Sequence, residues 1–214
     1  ISGVFGRNGI YIENTNESFI IRNCQIDKGI SVLKVSNGHI INNNISHGQA
    51  YYTGTTLKIG IYMARCLNST IGYNFFNGTF GYYSSSVIMT YRCNNIIING
   101  NTISKNEYTG LRSSYGLDIQ GSSEKITVSN NTILDREFGM SFDHCNYSSI
   151  TGNYITYRNS CIKEFDCYGN IFTNNICRKI TEPEPAFDYY PWIVLGISIS
   201  IIGALIVVAR AKKR

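Results

Sequence analysis

Proline is missing from the first 182 residues; its three copies, Pro183, Pro185 and Pro191, fall together near the C-terminus. Proline cannot donate to a sheet ladder, so its absence leaves residues 1–180 free to be strand throughout. Charge is scarce too, at 15% of residues. The formal +5 misleads, because Arg210, Lys212, Lys213 and Arg214 put four positives at the extreme end, just after the acids Glu182, Glu184 and Asp188. The rest of the charge is spread out, with no basic patch to suggest a nucleic acid partner. No Cys-x-x-Cys or zinc-type spacing occurs. The three histidines, His39, His47 and His144, stand at unrelated offsets. No metal or other cofactor is expected from them. Before residue 190 no sustained helical stripe appears. Neither an initiating Met nor a leader pattern opens the chain. Residues 1–8 read as the tail of a coil, so further coils are expected upstream, and an uncapped first coil would present an open sheet edge.

What is present is a repeat. The stretch Asn94 to Ile103, Asn-Asn-Ile-Ile-Ile-Asn-Gly-Asn-Thr-Ile, shows its kernel: an aliphatic, then Asn three residues on, then an aliphatic two further. Ile40…Asn43…Ile45, Ile71…Asn74…Phe76, Val128…Asn131…Ile133, Ile150…Asn153…Ile155 and Ile171…Asn174…Ile176 follow the same grammar, and Ile21…Cys24…Ile26 puts Cys in the Asn place. Alternation of β-branched residues marks strands. A coil of about 20 to 30 residues cannot bury its own apolar side, but stacked coils build a continuous core. Equivalent positions would then lie about 4.8 Å apart. An inward Asn amide, both donor and acceptor, can bond its neighbours up such a column. Positions 24, 43, 74, 101, 131, 153 and 174 are therefore expected to form a ladder.

This Asn-x-Ile kernel, followed by Gly and an aliphatic as in Gly139-Met140-Ser141-Phe142, resembles the repeats of right-handed parallel β-helix proteins. Among these it is similar to the NosD-like and carbohydrate-binding/sugar-hydrolase (CASH) group. The resemblance covers about residues 9 to 178. It implies an all-β solenoid of about seven coils. It also raises sugar binding, polysaccharide cleavage or copper handling as activities. Copper would suit sulfur plus imidazole, but the histidines do not cluster and Met63, Met89 and Met140 read as strand residues.

Four segments follow: a β-helix over 1–180, a stiff Pro/Glu linker over 181–191, a span over 192–209 and a basic tail over 210–214. Trp192 to Ala209 carries no charge, and its 18 residues at about 1.5 Å each reach about 27 Å, the lower end for a bilayer helix. Tyr189, Tyr190 and Trp192 form an aromatic belt at one end, with the basic tail at the other. A single-pass membrane protein is expected, its β-helix outside the cell and its C-terminus cytoplasmic.

The insertions between repeats fall after the kernel and before the next opening strand, on one edge of the stack, where binding faces often lie. They carry Tyr51, Tyr52, Tyr82, Tyr83, Tyr108 and Tyr115, flat amphipathic rings suited to a sugar or a protein partner. Glycosylation sequons accessible on an outside domain stand at Asn16, Asn68, Asn77 and Asn146; those at Asn44 and Asn130 adjoin the ladder. Cys66, Cys93 and Cys145 each precede an inward aliphatic by five residues. They are expected to stack as small buried side chains, with a Cys66–Cys93 bond within reach. For hydrolysis two carboxylates are needed. Among Asp118, Asp143, Glu164 and Asp166, alignment on the inward aliphatic puts Asp143 and Glu164 in one outward column. The favoured reading is a cell-surface protein that binds carbohydrate or a protein partner, or forms part of a surface layer. A polysaccharide lyase, hydrolase or epimerase working through Asp143 and Glu164 is the alternative.

Overall fold

The structure, a computed structural model, describes residues 9–46, 50–52, 55–57, 59–77, 86–104 and 114–181, with backbone alone for 50–52 and 55–57. The chain divides into Ile1–Ile180 and Thr181–Arg214. The span expected over 192–209, its aromatic and basic flanks, and the side chains of Tyr51, Tyr52, Tyr82, Tyr83 and Tyr108 lie outside the described residues. Among the described residues no helix is long and apolar enough to cross a membrane.

Each coil contributes an opening, a middle and a closing strand. The opening strands Ile10–Thr15, Ile30–Val35, Ile61–Ala64, Ser86–Tyr91 and Tyr115–Gln120 stack in parallel and continue into the later parts of Thr132–Asp143 and Tyr154–Phe165. The middle strands form a seven-stranded parallel sheet running from Phe19–Arg22 to Ile171–Thr173. The closing strands run from Gln25–Ile26 through Asn44–Ile45, Phe75–Phe76 and Thr102–Ile103 to the early parts of the two long strands and to Ile176–Lys179. Because the two twelve-residue strands run round a corner, opening and closing strands together count as one twelve-stranded sheet. A small antiparallel hairpin, Ala50–Tyr52 with Thr55–Leu57, sits in the first long insertion.

Register explains the core. Ile30, Ile61, Ile88, Leu117 and Met140 share one inward column. Ile40, Ile71, Ile98, Val128 and Ile150 share a second, and Ile45, Phe76, Ile103, Ile133 and Ile155 a third. All are buried, so three apolar stacks fill the interior.

At the corner between middle and closing strands the ladder closes. The Nδ2 group of Asn43 donates to Asn74 Oδ1, Asn74 to Asn101, Asn101 to Asn131 and Asn131 to Asn153, each at 3.0 Å. Each Oδ1 also accepts the backbone N–H of the preceding rung, and each Nδ2 also reaches a backbone carbonyl of the preceding coil, such as Ile71 for Asn101. From Asn74 to Asn131 every hydrogen-bonding site of these amides is thereby used. Cys24 stands at the first rung, donating its N–H to Asn43 Oδ1.

The last rung differs from expectation. Asn153 donates to Asn175 Oδ1 at 2.8 Å, not to Asn174. Asn174 is instead the left-handed corner residue, φ +54°. The same left-handed corner precedes every rung, at Asn23, Asn42, Tyr73, Gly100, Asn130 and Gly152. Phe172 and Cys177 accordingly continue the inward columns, and Ile171 and Ile176 point out, 61% and 60% exposed.

The cysteines split. Cys161 and Cys177 form a disulfide in the terminal coil, while Cys24, Cys66, Cys93, Cys145 and Cys167 are free thiols. Cys66 and Cys93 stack without bonding covalently: Cys66 N–H donates to Cys93 Sγ at 3.4 Å, and Cys93 N–H to Ser123 Oγ. Cys145 repeats the arrangement on Cys167. Burial pushes the Cys145 thiol up to about 11, so it stays protonated as a small apolar filler.

Candidate functional site

Two properties single out the outer side of the opening strands. In sequence the insertions after closing strands Asn44–Ile45, Phe75–Phe76 and Thr102–Ile103 run into the next opening strands, and the outward columns of those strands are unusually buried. Ser31, Tyr62, Ser86 and Asp118 all face outward yet are 5% exposed or less. Near the N-terminal end this outer layer is apolar, with Ile59, Tyr62 and Ala64 packed by Leu33, Met89 and Tyr91. Toward the C-terminal end it becomes polar.

Asp118 is the centre of that polar region. Its Oδ2 accepts the Gln120 amide at 2.7 Å and the Ser86 hydroxyl at 3.1 Å. Its Oδ1 is buried with no hydrogen-bond partner. Burial raises the Asp118 carboxyl above the usual range; the two hydrogen bonds pull it back, and the charge of Asp143 raises it further. Ser141 is its register partner, and Lys163 follows Ser141 in the same column. The Lys163 ammonium lies 3.6 Å from the centre of the Phe138 ring, which stacks on Tyr115 at 4.8 Å. Burial, and then the charge of Asp118, raise the Tyr115 phenol. Asp143 Oδ1 meets His144 Nδ1 at 2.6 Å, and His144 Nε2 faces Asp166 Oδ2 at 3.6 Å.

The expected pairing of Asp143 with Glu164 is not what the strands make. Asp143 pairs with Phe165, and Glu164 pairs with Phe142 in an inward column. At the open end of the stack Glu164 accepts from Asn170 Nδ2 at 2.9 Å. Two carboxylates do come together, but they are Asp118 and Asp143. Asp143 lies two residues beyond Ser141, so it is the diagonal neighbour of Asp118. Of the tyrosines expected in the binding loops, Tyr115 lies beside this pair. Lys163 was expected beside the carboxylates, but Ser86 and Gln120 were not foreseen; only the register, read coil by coil, brings them to Asp118.

Arg136 was also unforeseen. It is the largest fully buried side chain among the described residues, at the irregularity where Thr132–Asp143 turns the corner. Its Nη2 donates to Ser104 O at 2.8 Å, and burial lowers it to about 10, so it is still charged at neutral pH. Beside it Arg158 Nε and Asp135 Oδ1 make an ion pair at 2.8 Å.

The sequons differ in engagement. Asn16 is exposed between strands. Asn68 Oδ1 accepts from Asn95, Asn146 Oδ1 accepts the Tyr168 N–H, and Asn77 Oδ1 is buried and unpartnered. Among the described residues no group of three or more His, Cys, Asp or Glu is arranged to hold a metal; His47 lies outside them.

The raised Asp118 carboxyl makes a prediction about stability. A folded-state value above the unfolded one, near 3.9, means that folding favours the protonated form. This contribution is full below about pH 4 and is lost as pH rises through the folded-state value. Asp118→Asn, which mimics the neutral acid, should be the more stable protein at pH 7. The advantage should vanish near pH 3.5. Urea midpoints at the two pH values check it, and an equal or less stable variant at pH 7 contradicts it.

The architecture is that of the solenoid class in which parallel strands wind into a stacked coil. The chain belongs to the family described as the right handed beta helix region, whose profile matches residues 1–135. Parallel strand pairing continues beyond that match to Lys179, with register shifts on either side of Arg136. None of the curated proteins matches the sequence. Among solved structures, a crystal structure from Parabacteroides merdae, described provisionally as a glycosyl hydrolase, is similar with a TM-score of 0.42 at 12% identity, over 79% of this chain and 83% of that chain.

Proposed function

We propose that this β-helix binds carbohydrate through the outer side of its opening strands, around Asp118, and works at the cell surface. The carrying observation is the state of Asp118: one oxygen held by Ser86 and Gln120, the other buried and unpartnered. A buried acceptor left open is costly unless something fills it. A sugar hydroxyl is a donor of the right kind, and Tyr115 and Phe138 offer apolar ring surface beside it. The uncharged 192–209 segment, its aromatic belt and its basic tail support a single membrane span, with the β-helix outside and the C-terminus cytoplasmic. A glycan array probed with the full chain tests the reading. At least one glycan family should bind, and Asp118→Ala should weaken it about tenfold, the scale of one charge-assisted hydrogen bond. An array without signal, or binding untouched by that change, rejects it.

A second reading is supported by the diagonal carboxylates. On parallel strands about 4.8 Å apart, positions two residues out of register start about 8 Å apart, a backbone separation from which two carboxyl groups can reach the roughly 6.5–9.5 Å of the acid and base of inverting glycosidases. The raised carboxyl of Asp118 suits the acid, and Asp143, partly exposed and bonded to His144, suits the base that activates water. New reducing ends from a glycan that binds, abolished by Asp143→Asn, would favour this reading over binding alone.

A further inference from the structure

The middle sheet carries a surface that the reading above does not use. From the third coil onward its outward positions are Thr70 and Gly72, Ile97 and Asn99, Thr127 and Ser129, Ser149 and Thr151, then Ile171 and Thr173. Not one of these is charged. Among the described residues no insertion leaves the coils along these strands, so they leave the face open over five strands, about 19 Å between the outer two at the strand spacing. One column is bonded within itself: Ser129 Oγ donates to Asn99 Oδ1 at 3.0 Å and Thr173 Oγ1 to Thr151 Oγ1 at 3.0 Å. Asn99 Nδ2 also donates to the Tyr73 hydroxyl at 3.1 Å. Exposed tyrosines rim the face: Tyr73 on one side and the edge-to-face pair Tyr147 and Tyr168 on the other, 65%, 58% and 70% exposed.

We infer that this face is a docking track for an extended, uncharged polysaccharide, separate from the Asp118 site. Charge complementarity points there. Hydroxyl, amide and methyl groups without charge match a neutral polymer, and an anionic chain would find one cation, the exposed Lys125 at the Tyr147 rim just after Glu124, and no run of positive charge along the track. The two exposed isoleucines, Ile97 and Ile171, are too few for an apolar protein interface. The area is also too small for a second copy. Five strands by two side-chain columns give about 200–300 Å², against about 800 Å² per partner in a stable complex. A linear glycan needs only a narrow strip, with its ring faces against threonine methyls and tyrosine edges and its hydroxyls on the preset Asn99–Ser129 and Thr151–Thr173 pairs.

Affinity electrophoresis tests this, with the full chain in a detergent whose headgroup is not a sugar. The gels contain hydroxyethyl cellulose, galactomannan or, as the anionic comparison, polygalacturonate. At least one neutral polymer should slow the protein, unchanged between about 0.05 and 0.5 M NaCl because no counterions are released, while polygalacturonate should not. Thr127→Lys, at a surface position, should weaken that retardation at least tenfold with an unchanged melting curve, and Asp118→Ala should leave it intact. Retardation lost in Asp118→Ala but kept in Thr127→Lys would overturn the track while leaving the Asp118 reading standing. Migration unaffected by both neutral polymers would overturn it outright. So would self-association abolished by Thr127→Lys in sedimentation velocity, which would make a second copy the occupant.

Discussion

Asn101→Ala should cost about 4 kcal/mol of folding stability, read as a fall in the urea midpoint. The residue is completely buried and sits mid-ladder. Removing its amide takes a hydrogen bond from the Nδ2 and N–H of Asn74, the carbonyl of Ile71 and the Oδ1 of Asn131. An unmade buried hydrogen bond costs about 1–3 kcal/mol; four are lost, although Asn74 Nδ2 keeps the Ile40 carbonyl and Asn131 Oδ1 keeps the residue-101 N–H, and water entering the vacated space offsets part of the cost. Asn101→Asp should be no better, because it restores the acceptor, not the donors, and buries a charge. The pair Asn101→Ala with Asn131→Ala should cost clearly less than the sum of the two single changes. The second rung has by then already lost its bond to the first, so the losses overlap. Strict additivity, or a single-variant cost under 1 kcal/mol, would mean that the amide column merely accompanies the stack and does not hold it.

The ladder was legible because its chemistry repeats. An amide at one offset from apolar residues, copy after copy, is what a stacked column requires, and Asn43, Asn74, Asn101, Asn131 and Asn153 stand where the pattern puts them. The failure came at the last coil. There the sequence offers Asn174-Asn175 with apolar residues at 171, 172, 176 and 177, so two frames fit equally well. A spacing of 21 from Asn153 chooses Asn174; the strands use 22, the same spacing as from Asn131 to Asn153. A one-residue slip exchanges the two sides of a strand. That single slip also put Glu164 beside Asp143, where 22 residues on from Asp143 the structure has Phe165. The left-handed corner at Asn174 would have decided the frame, but backbone conformation at an Asn-Asn pair is not written in residue type. The candidate site suffered similarly. Asp118 was visible as a carboxylate, but its burial depends on residues distant in sequence, and the diagonal with Asp143 appears only once coils are registered. The Cys161–Cys177 disulfide was hidden for the same reason: residue 177 reads as outward in the slipped frame. A column of corner glycines was legible only in part, through Gly139-Met140.

Those glycines set the second large effect. Gly139→Ala should destabilise the protein by at least about 3 kcal/mol, at or beyond the upper end of ordinary overpacking. Gly60, Gly116 and Gly139 occupy equivalent corners, each just before an inward residue of an opening strand. A Cβ on Gly139 would stand 2.3 Å from Ile155 Cγ2 and 2.5 Å from the carbonyl oxygen of Cys161; on Gly116 it would meet Ile133 Cγ2 and the carbonyl of Gly139 at 2.5 and 2.7 Å. The carbonyl belongs to the next coil, whose spacing is fixed at about 4.8 Å by the hydrogen bonds of every strand around it. Backbone cannot retreat there without parting two coils, and Ile155 cannot retreat because it is fully buried in the apolar stack. The same column contains its own control. In the fourth coil the corner residue is Val87, buried with its side chain accommodated, so Val87→Ala should cost about 2 kcal/mol, as for removing two buried methyl groups. Equilibrium unfolding of both variants gives the comparison. If Gly139→Ala unfolds within 1 kcal/mol of the native protein, the corner is looser than its close contacts indicate, and coil spacing is not what selects glycine at these positions.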